Sequence, residues 1–148
     1  MKRLHVSFSV ADLDKSVAFY STLFDGPPTV KKDDYAKWML DDPRVNFVVT
    51  TGGETLGFAH AGIQVDAADE LPSLFDRLKA AEAPYLPEGE TICCYHKSEK
   101  SWTADPDGVM WEVFYTHHQT EEFGSEPDVE ALEVAAAKER PRAPGRCC

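Results

Sequence analysis

The stretch His5–Leu23, HVSFSVADLDKSVAFYSTL, decides the fold, because the chain writes its pattern twice. The second copy is His60–Leu78, HAGIQVDAADELPSLFDRL, displaced by 55 positions. His5 falls on His60, Phe8 on Ile63, Val10 on Val65, Asp14 on Asp69, Phe19 on Leu74, Tyr20 on Phe75 and Leu23 on Leu78. Self-similarity at a constant spacing marks a repeated structural unit. Each copy opens on a strand: Leu4, Val6, Phe8 and Val10 alternate with His5, Ser7 and Ser9, the period of two that a strand imposes. An acidic turn follows. Apolar residues then recur at helical spacing, Val17, Phe19, Tyr20, Leu23 and Phe24 in one copy and Leu71, Leu74, Phe75 and Leu78 in the other. Asp14 and Asp69 stand near the helix starts, where a carboxylate can satisfy unpaired N–H groups.

Strand-like runs come after each helix: Ala36–Leu40 and Asn46–Thr50, then Ile92–His96, Ser101–Ala104 and Val109–Tyr115. The copies also end alike. DDPRVNFVV closes the first and ADPDGVMWEVFYT the second, each a polar turn feeding a final strand. Each copy reads as β-α-β-β-β, so the fold class is α+β. Residues 1–118 form one domain, with module 1 at about 1–52 and module 2 at about 57–118. Residues 119–148 read as an acidic, partly disordered tail in which Asp128–Arg140 can form a short helix.

Composition excludes several functions. The 148 residues carry a formal charge of -11, which repels phosphate backbones and anionic membranes, so no nucleic acid is expected as partner. No run of about 18 apolar residues exists to span a bilayer. The start, MKRLHVSFSV, lacks the apolar core of a secretory signal, and a cytoplasmic location is expected. The cysteines form two adjacent pairs, Cys93-Cys94 and Cys147-Cys148. Neighbours cannot staple separate segments, so they read as free thiols in a reducing compartment.

The alternation also assigns faces. Leu4, Val6, Phe8 and Val10 belong under the helix, and His5, Ser7 and Ser9 face away. In the second copy Ala61, Ile63 and Val65 face the helix, while His60, Gly62 and Gln64 face away. In the last strand Met110, Glu112 and Phe114 share one face. Glu112 is the lone carboxylate within VMWEVFY, a costly place for a charge unless it is paired or binds metal. A single strand histidine is usually a surface residue, but two at equivalent repeat positions plus an anomalous Glu112 point to a metal set of His5, His60 and Glu112. Two imidazoles and one carboxylate leave coordination positions open and suit non-haem Fe(II), with Mn(II) compatible. The position matching Glu112 in the first copy is Val48, so a fourth ligand is absent. His96 is a further candidate, and His117-His118 reads as a solvated pair just past the last strand.

Tandem β-α-β-β-β modules with His5, His60 and Glu112 resemble the vicinal-oxygen-chelate superfamily, which includes glyoxalase I, extradiol dioxygenases and fosfomycin-resistance proteins. The resemblance covers about residues 1–118 and implies a cup around a metal. TICCYHKSEKSWTADPDGVMWEVFYT, residues 91–116, is similar to the arsenic- and cadmium-inducible branch, ArsI/CadI. The Cys-Cys-Tyr run, the Asp-Pro-Asp-Gly turn and Trp-Glu-Val carry the likeness. That resemblance implies Fe(II)-dependent, O2-consuming cleavage of the carbon–arsenic bond in a small-molecule trivalent organoarsenical, with Cys93 and Cys94 binding arsenic. Some members carry Gln where this chain has His5. Modules of the superfamily pair within or between chains, so a homodimer is compatible.

The chemistry agrees. Trivalent arsenic is soft, and thiolates are the soft ligands that proteins offer; a second As–S bond forms intramolecularly and strengthens the first. A regular strand points neighbouring side chains to opposite faces, so a dithiol site needs irregular backbone, which the loop-like flanks LPEGET and KSEKS permit. Tyr95, Lys97 and Lys100 lie beside the thiols and read as solvated loop residues, although positive charge there would lower a thiol pKa. Cys147-Cys148 is either a second soft-metal clasp or a dispensable end. Two rivals stand beside the lyase reading: a non-catalytic binder of cadmium or arsenite, and an isomerase or thiol transferase. The absent fourth ligand argues against an isomerase.

Overall fold

A computed structural model of the chain describes the backbone of residues 1–93 and 96–119, and the side chains of these except 88–98, 118 and 119. The proposed tail, its helix and Cys147-Cys148 lie outside the described residues. The elements are β1 (Arg3–Ser9), α1 (Leu13–Leu23), β2 (Val30–Lys31), β3 (Tyr35–Asp41), β4 (Arg44–Thr50), β5 (Gly57–Gln64), α2 (Leu71–Ala80), β6 (Tyr85–Cys93), β7 (His96–Ala104) and β8 (Met110–Gln119). The order is β-α-β-β-β twice, a mixed α+β fold. All eight strands form one sheet in the order β2-β3-β4-β1-β5-β8-β7-β6. β1 runs parallel to β4, β5 runs parallel to β8, and β1 joins β5 antiparallel at the centre.

The helices cover one face of the sheet. On the first half, Leu13 with Val17, Tyr20 and Phe24 packs on Ala36, Trp38, Phe47 and Val49, joined by Val6, Phe8 and Val10. On the second, Leu71, Leu74, Phe75 and Leu78 pack on Val65, Val113 and Tyr115. The α1 stripe is therefore Leu13, Val17, Tyr20 and Phe24. Phe19 and Leu23, expected in it, are each 61% exposed. At about 100° per residue they lie roughly 130° and 90° from the centre of that stripe. Leu4, also expected beneath the helix, is 42% exposed. The cap of α1 is Asp12, whose side chain accepts from Lys15 N at 3.0 Å; Asp14 sits in the first turn and pairs with Lys31. A short 3-10 turn, Ala68–Glu70, precedes α2, which begins at Leu71 with Pro72 in its first turn and no side-chain cap.

Two expected loops are strands. LPEGET lies in β6 and KSEKS in β7; of the expected strand Ile92–His96, Ile92 and Cys93 end β6 and His96 opens β7 opposite Cys93, while residues 94 and 95 lie outside the described residues. β6 is an edge strand, where Pro87 removes no ladder bond from a second neighbour, and the register shifts between Pro87 and Gly89. β8 runs to Gln119, so His117 and His118 lie inside it rather than past its end.

Candidate metal centre

The central strands align three functional positions. His5 on β1 is opposite Gly62 on β5, and Gly62 is opposite Glu112 on β8. His60 is two residues from Gly62 and shares its face. This inner face is the one without helices. His5, Ser7, Ser9, Asn46 and Glu112 on it are buried although polar.

His5 and Glu112 stand two strands apart, a backbone separation of about 9–10 Å in a flat sheet, yet their ligand atoms nearly meet. His5 Nε2 lies 3.6 Å from Glu112 Oε2, His60 Nε2 lies 3.8 Å from it, and the two Nε2 atoms are 3.1 Å apart. Gly62 makes the approach feasible. A Cβ there would stand 2.6 Å from the Glu112 carbonyl oxygen, 3.2 Å from His5 Cδ2 and 3.3 Å from Glu112 Cβ.

Two of the three donors, His5 and Glu112, are oriented by a second contact. His5 Nδ1 is 3.1 Å from the Asn46 carbonyl; a carbonyl only accepts, so Nδ1 carries the proton and Nε2 presents its lone pair. Without a cation, His60 Nε2 donates to that lone pair, and ligation requires its proton to sit on Nδ1 instead. Glu112 Oε1 is 3.1 Å from Lys100 Nζ, leaving Oε2 to face the imidazoles. Lys100 is only 1% exposed, which corrects its reading as a solvated loop residue. Phe114 stands edge-on to the His5 ring at 5.2 Å, and Trp102 edge-on to the His60 ring at 5.0 Å.

The electrostatics favour ligation. Burial holds the His5 pKa below its ordinary value despite the attraction of Glu112. Burial likewise lowers His60, to about 4. Both rings are neutral at pH 7, the form that binds metal. Burial pushes the Glu112 carboxyl up, but Lys100, His5 and His60 together outweigh it and hold the group below the ordinary carboxylate range.

A metal fits this set. The atoms of His5, His60 and Glu112 lie within 4.8 Å of one another. The triangle they form has a circumscribed radius of about 2.0 Å, close to common metal–nitrogen and metal–oxygen lengths of about 2.1 Å. The register also locates the fourth position. Ser7 is the repeat partner of Gly62 and pairs with Val48, as Gly62 pairs with Glu112. Val48 is thus the counterpart of Glu112 and supplies no donor.

The signature of the Glyoxalase/Bleomycin resistance protein/Dioxygenase superfamily matches residues 2–113. The chain belongs to that superfamily. It is 41% identical over 132 residues to the trivalent organoarsenical cleaving enzyme of Bacillus sp. (strain MD1), covering 86% of this chain and 81% of that protein. It is 32% identical over 128 residues to the cadmium-induced protein CadI of Mycobacterium bovis (strain ATCC BAA-935 / AF2122/97), covering 86% and 84%. Among solved folds, the Mn(II)-bound glyoxalase from Novosphingobium aromaticivorans aligns with a TM-score of 0.59 at 17% identity, over 88% of this chain and 44% of that one. Such superfamily members share the eight-stranded, two-helix fold described above.

Of the other expected site residues, Cys93 is placed by its backbone at the end of β6, while Cys94 and Tyr95 lie outside the described residues. His117 is exposed on β8, its ring against Tyr115. Gly62, Trp102 and Lys100 belong to the site but do not stand out in the sequence. Glycine on an inner face is the signal that bears on the first, because a missing side chain between two ligands is room for them to close.

Proposed function

We propose that this superfamily member is an Fe(II)-dependent, dioxygenase-type carbon–arsenic lyase acting on trivalent organoarsenicals such as methylarsenite and trivalent aromatic arsenicals. The observation that carries the reading is the donor set itself: two neutral imidazoles and one carboxylate oxygen, with Val48 where a fourth ligand would stand. Such a set leaves positions open for O2 and substrate. The 41% identity to an organoarsenical cleaving enzyme supports the substrate class.

When bound, Fe(II) supplies the O2 chemistry that no side chain here can perform. The protein supplies placement. Asn46 and Lys100 orient His5 and Glu112, and the Phe114 and Trp102 rings keep water from the flanks of His5 and His60 respectively. Cys93, whose backbone ends β6, and its neighbour Cys94 clasp arsenic as two As–S bonds form and two waters leave. Holding the arsenical beside the metal converts an encounter of separate reactants into a step within one complex. For a methyl substrate, methylarsenous acid and O2 give arsenous acid and formaldehyde. The methyl carbon surrenders four electrons to O2 and arsenic stays trivalent, so atoms and electrons balance.

Glu112→Ala tests the assignment. The variant should release no inorganic arsenite with Fe(II) in air, yet still bind methylarsenite through its thiols. Turnover with iron present would remove Glu112 from the centre. The similarity to a cadmium-induced protein favours a second reading, a non-catalytic cadmium- or arsenite-binding stress protein. That reading expects stoichiometric thiol binding with no arsenite release in the wild type.

A further inference from the structure

Trp102 is 5% exposed, and its Nε1 is buried without a hydrogen-bond partner among the described residues. Trp38, equally enclosed, donates its Nε1 to the Gly26 carbonyl at 3.1 Å. Tryptophan at a buried position ordinarily finds such an acceptor, because an N–H stripped of water and given nothing in return destabilises the fold. Phenylalanine would fill a purely apolar role at position 102 without that cost.

The polar groups around this indole belong to the metal centre. Trp102 on β7 is directly opposite Glu112 on β8, so the two share the inner face. Leu86, Ala104 and Met110 close its apolar side. Its ring meets the His60 ring at 76° with centroids 5.0 Å apart, and Lys100 Nζ lies 5.5 Å from its centroid. The indole thus stands on the same sheet face as two of the three metal donors, Glu112 and His60, with the His60 ring against it.

We propose that the Trp102 indole N–H is the hydrogen-bond donor for an oxygen-bearing ligand in the open positions of the His5, His60 and Glu112 centre. The inference rests on the metal reading of those residues. An indole N–H only donates, so the ligand must present an acceptor that the cation does not fully use. An oxygen ligand satisfies this and an alkyl group does not. Trp102 is then a positioning residue: it selects oxygen ligands and sets their orientation against the neutral imidazoles.

The test uses the full chain, labelled uniformly with nitrogen-15, loaded with redox-inert Zn(II) and titrated with acetohydroxamate, a small bidentate oxygen ligand. Trp102→Phe assigns the resonance. Zn(II) alone should perturb the His5 and His60 ring signals, and a failure there overturns the metal reading and this inference with it. With Zn(II) bound, acetohydroxamate should move the Trp102 indole proton downfield and leave Trp38 in place. In the Zn(II)-saturated protein, Trp102→Phe should weaken acetohydroxamate roughly 3- to 10-fold, the scale of one hydrogen bond. Zn(II) bound with acetohydroxamate either failing to bind or leaving the Trp102 signal unmoved overturns the inference while the metal reading stands. The signal is read in the wild type, so the result does not depend on how well the variant folds.

Discussion

Lys100→Met separates a metal ligand from an ordinary ion-pair partner. Lys100 Nζ and Glu112 Oε1 are 3.1 Å apart and both residues are buried. At an effective dielectric of about 20 their attraction is about 5 kcal/mol before desolvation. Removing one member of such a buried pair typically costs about 3–5 kcal/mol, since the other charge is left stranded. Metal-free Lys100→Met should therefore unfold roughly 10 °C below the wild type, at about 3 °C per kcal/mol. Methionine roughly matches the length of the lysine stem, so most of the packing is kept. A divalent cation changes the sign of the effect. With Glu112 as a ligand, the cation replaces the lost ammonium and no longer meets a neighbouring positive charge, so the variant should bind Zn(II) more tightly than the wild type. Thermal unfolding with and without Zn(II), alongside calorimetric titration, gives both numbers. If Zn(II) raises the melting temperature of the variant no more than that of the wild type, Glu112 is a structural partner of Lys100 and the metal argument fails.

Three further perturbations probe the neighbours of this pair. Gly62→Ala places a methyl 2.6 Å from the Glu112 carbonyl oxygen and against His5; it should cost about 1–3 kcal/mol of stability and weaken Zn(II) roughly tenfold, which denaturant melts and a Zn(II) titration will show. Cys93→Ser and Cys94→Ser should each weaken methylarsenite binding about 100-fold by abolishing the second As–S bond, leaving Zn(II) affinity unchanged in a competition assay with a small dithiol. The metal-free protein should lose stability as pH falls. The His60 pKa is lowered to about 4 in the folded chain against about 6.5 unfolded, so the unfolded chain takes up the proton first. That contribution is complete above pH 6.5 and is lost towards pH 4, by at most about 3 kcal/mol, with His5 acting in the same direction. His60→Gln should flatten that part of the profile, and an unchanged slope would show that His60 is not held neutral by burial.

Much of the centre is legible in the sequence because the repeat carries positional information. The offset between His5 and His60 makes them equivalent before any contact is known, and alternation puts both on the face opposite the helix. Glu112 stands out as a charge in an apolar strand. The counterpart at Val48 can be read because both modules end on the same turn-and-strand pattern, and the strand register places it the same way. Lys100 is not legible. KSEKS looks like solvent-exposed loop, since local composition cannot show that β7 is flanked on both sides by strands and that one of its lysines turns inward to Glu112. Edge strand β6, with Pro87 and Gly89, is obscured for the same reason. β2 is two residues long, too short to display a period. The stripe on α1 is misplaced at Phe19 and Leu23 because large apolar residues on both sides of a helix blur the direction of its buried face.

The central claim is that His5, His60 and Glu112 form an open iron centre beside a dithiol that presents an organoarsenical. The most direct measurement is release of inorganic arsenite from methylarsenite by the purified chain, with Fe(II) present or absent, in air and under argon. The account predicts catalytic release with Fe(II) in air, and none when either Fe(II) or O2 is withheld. Equal release under argon, or none under any condition while methylarsenite stays bound to the thiols, would contradict it.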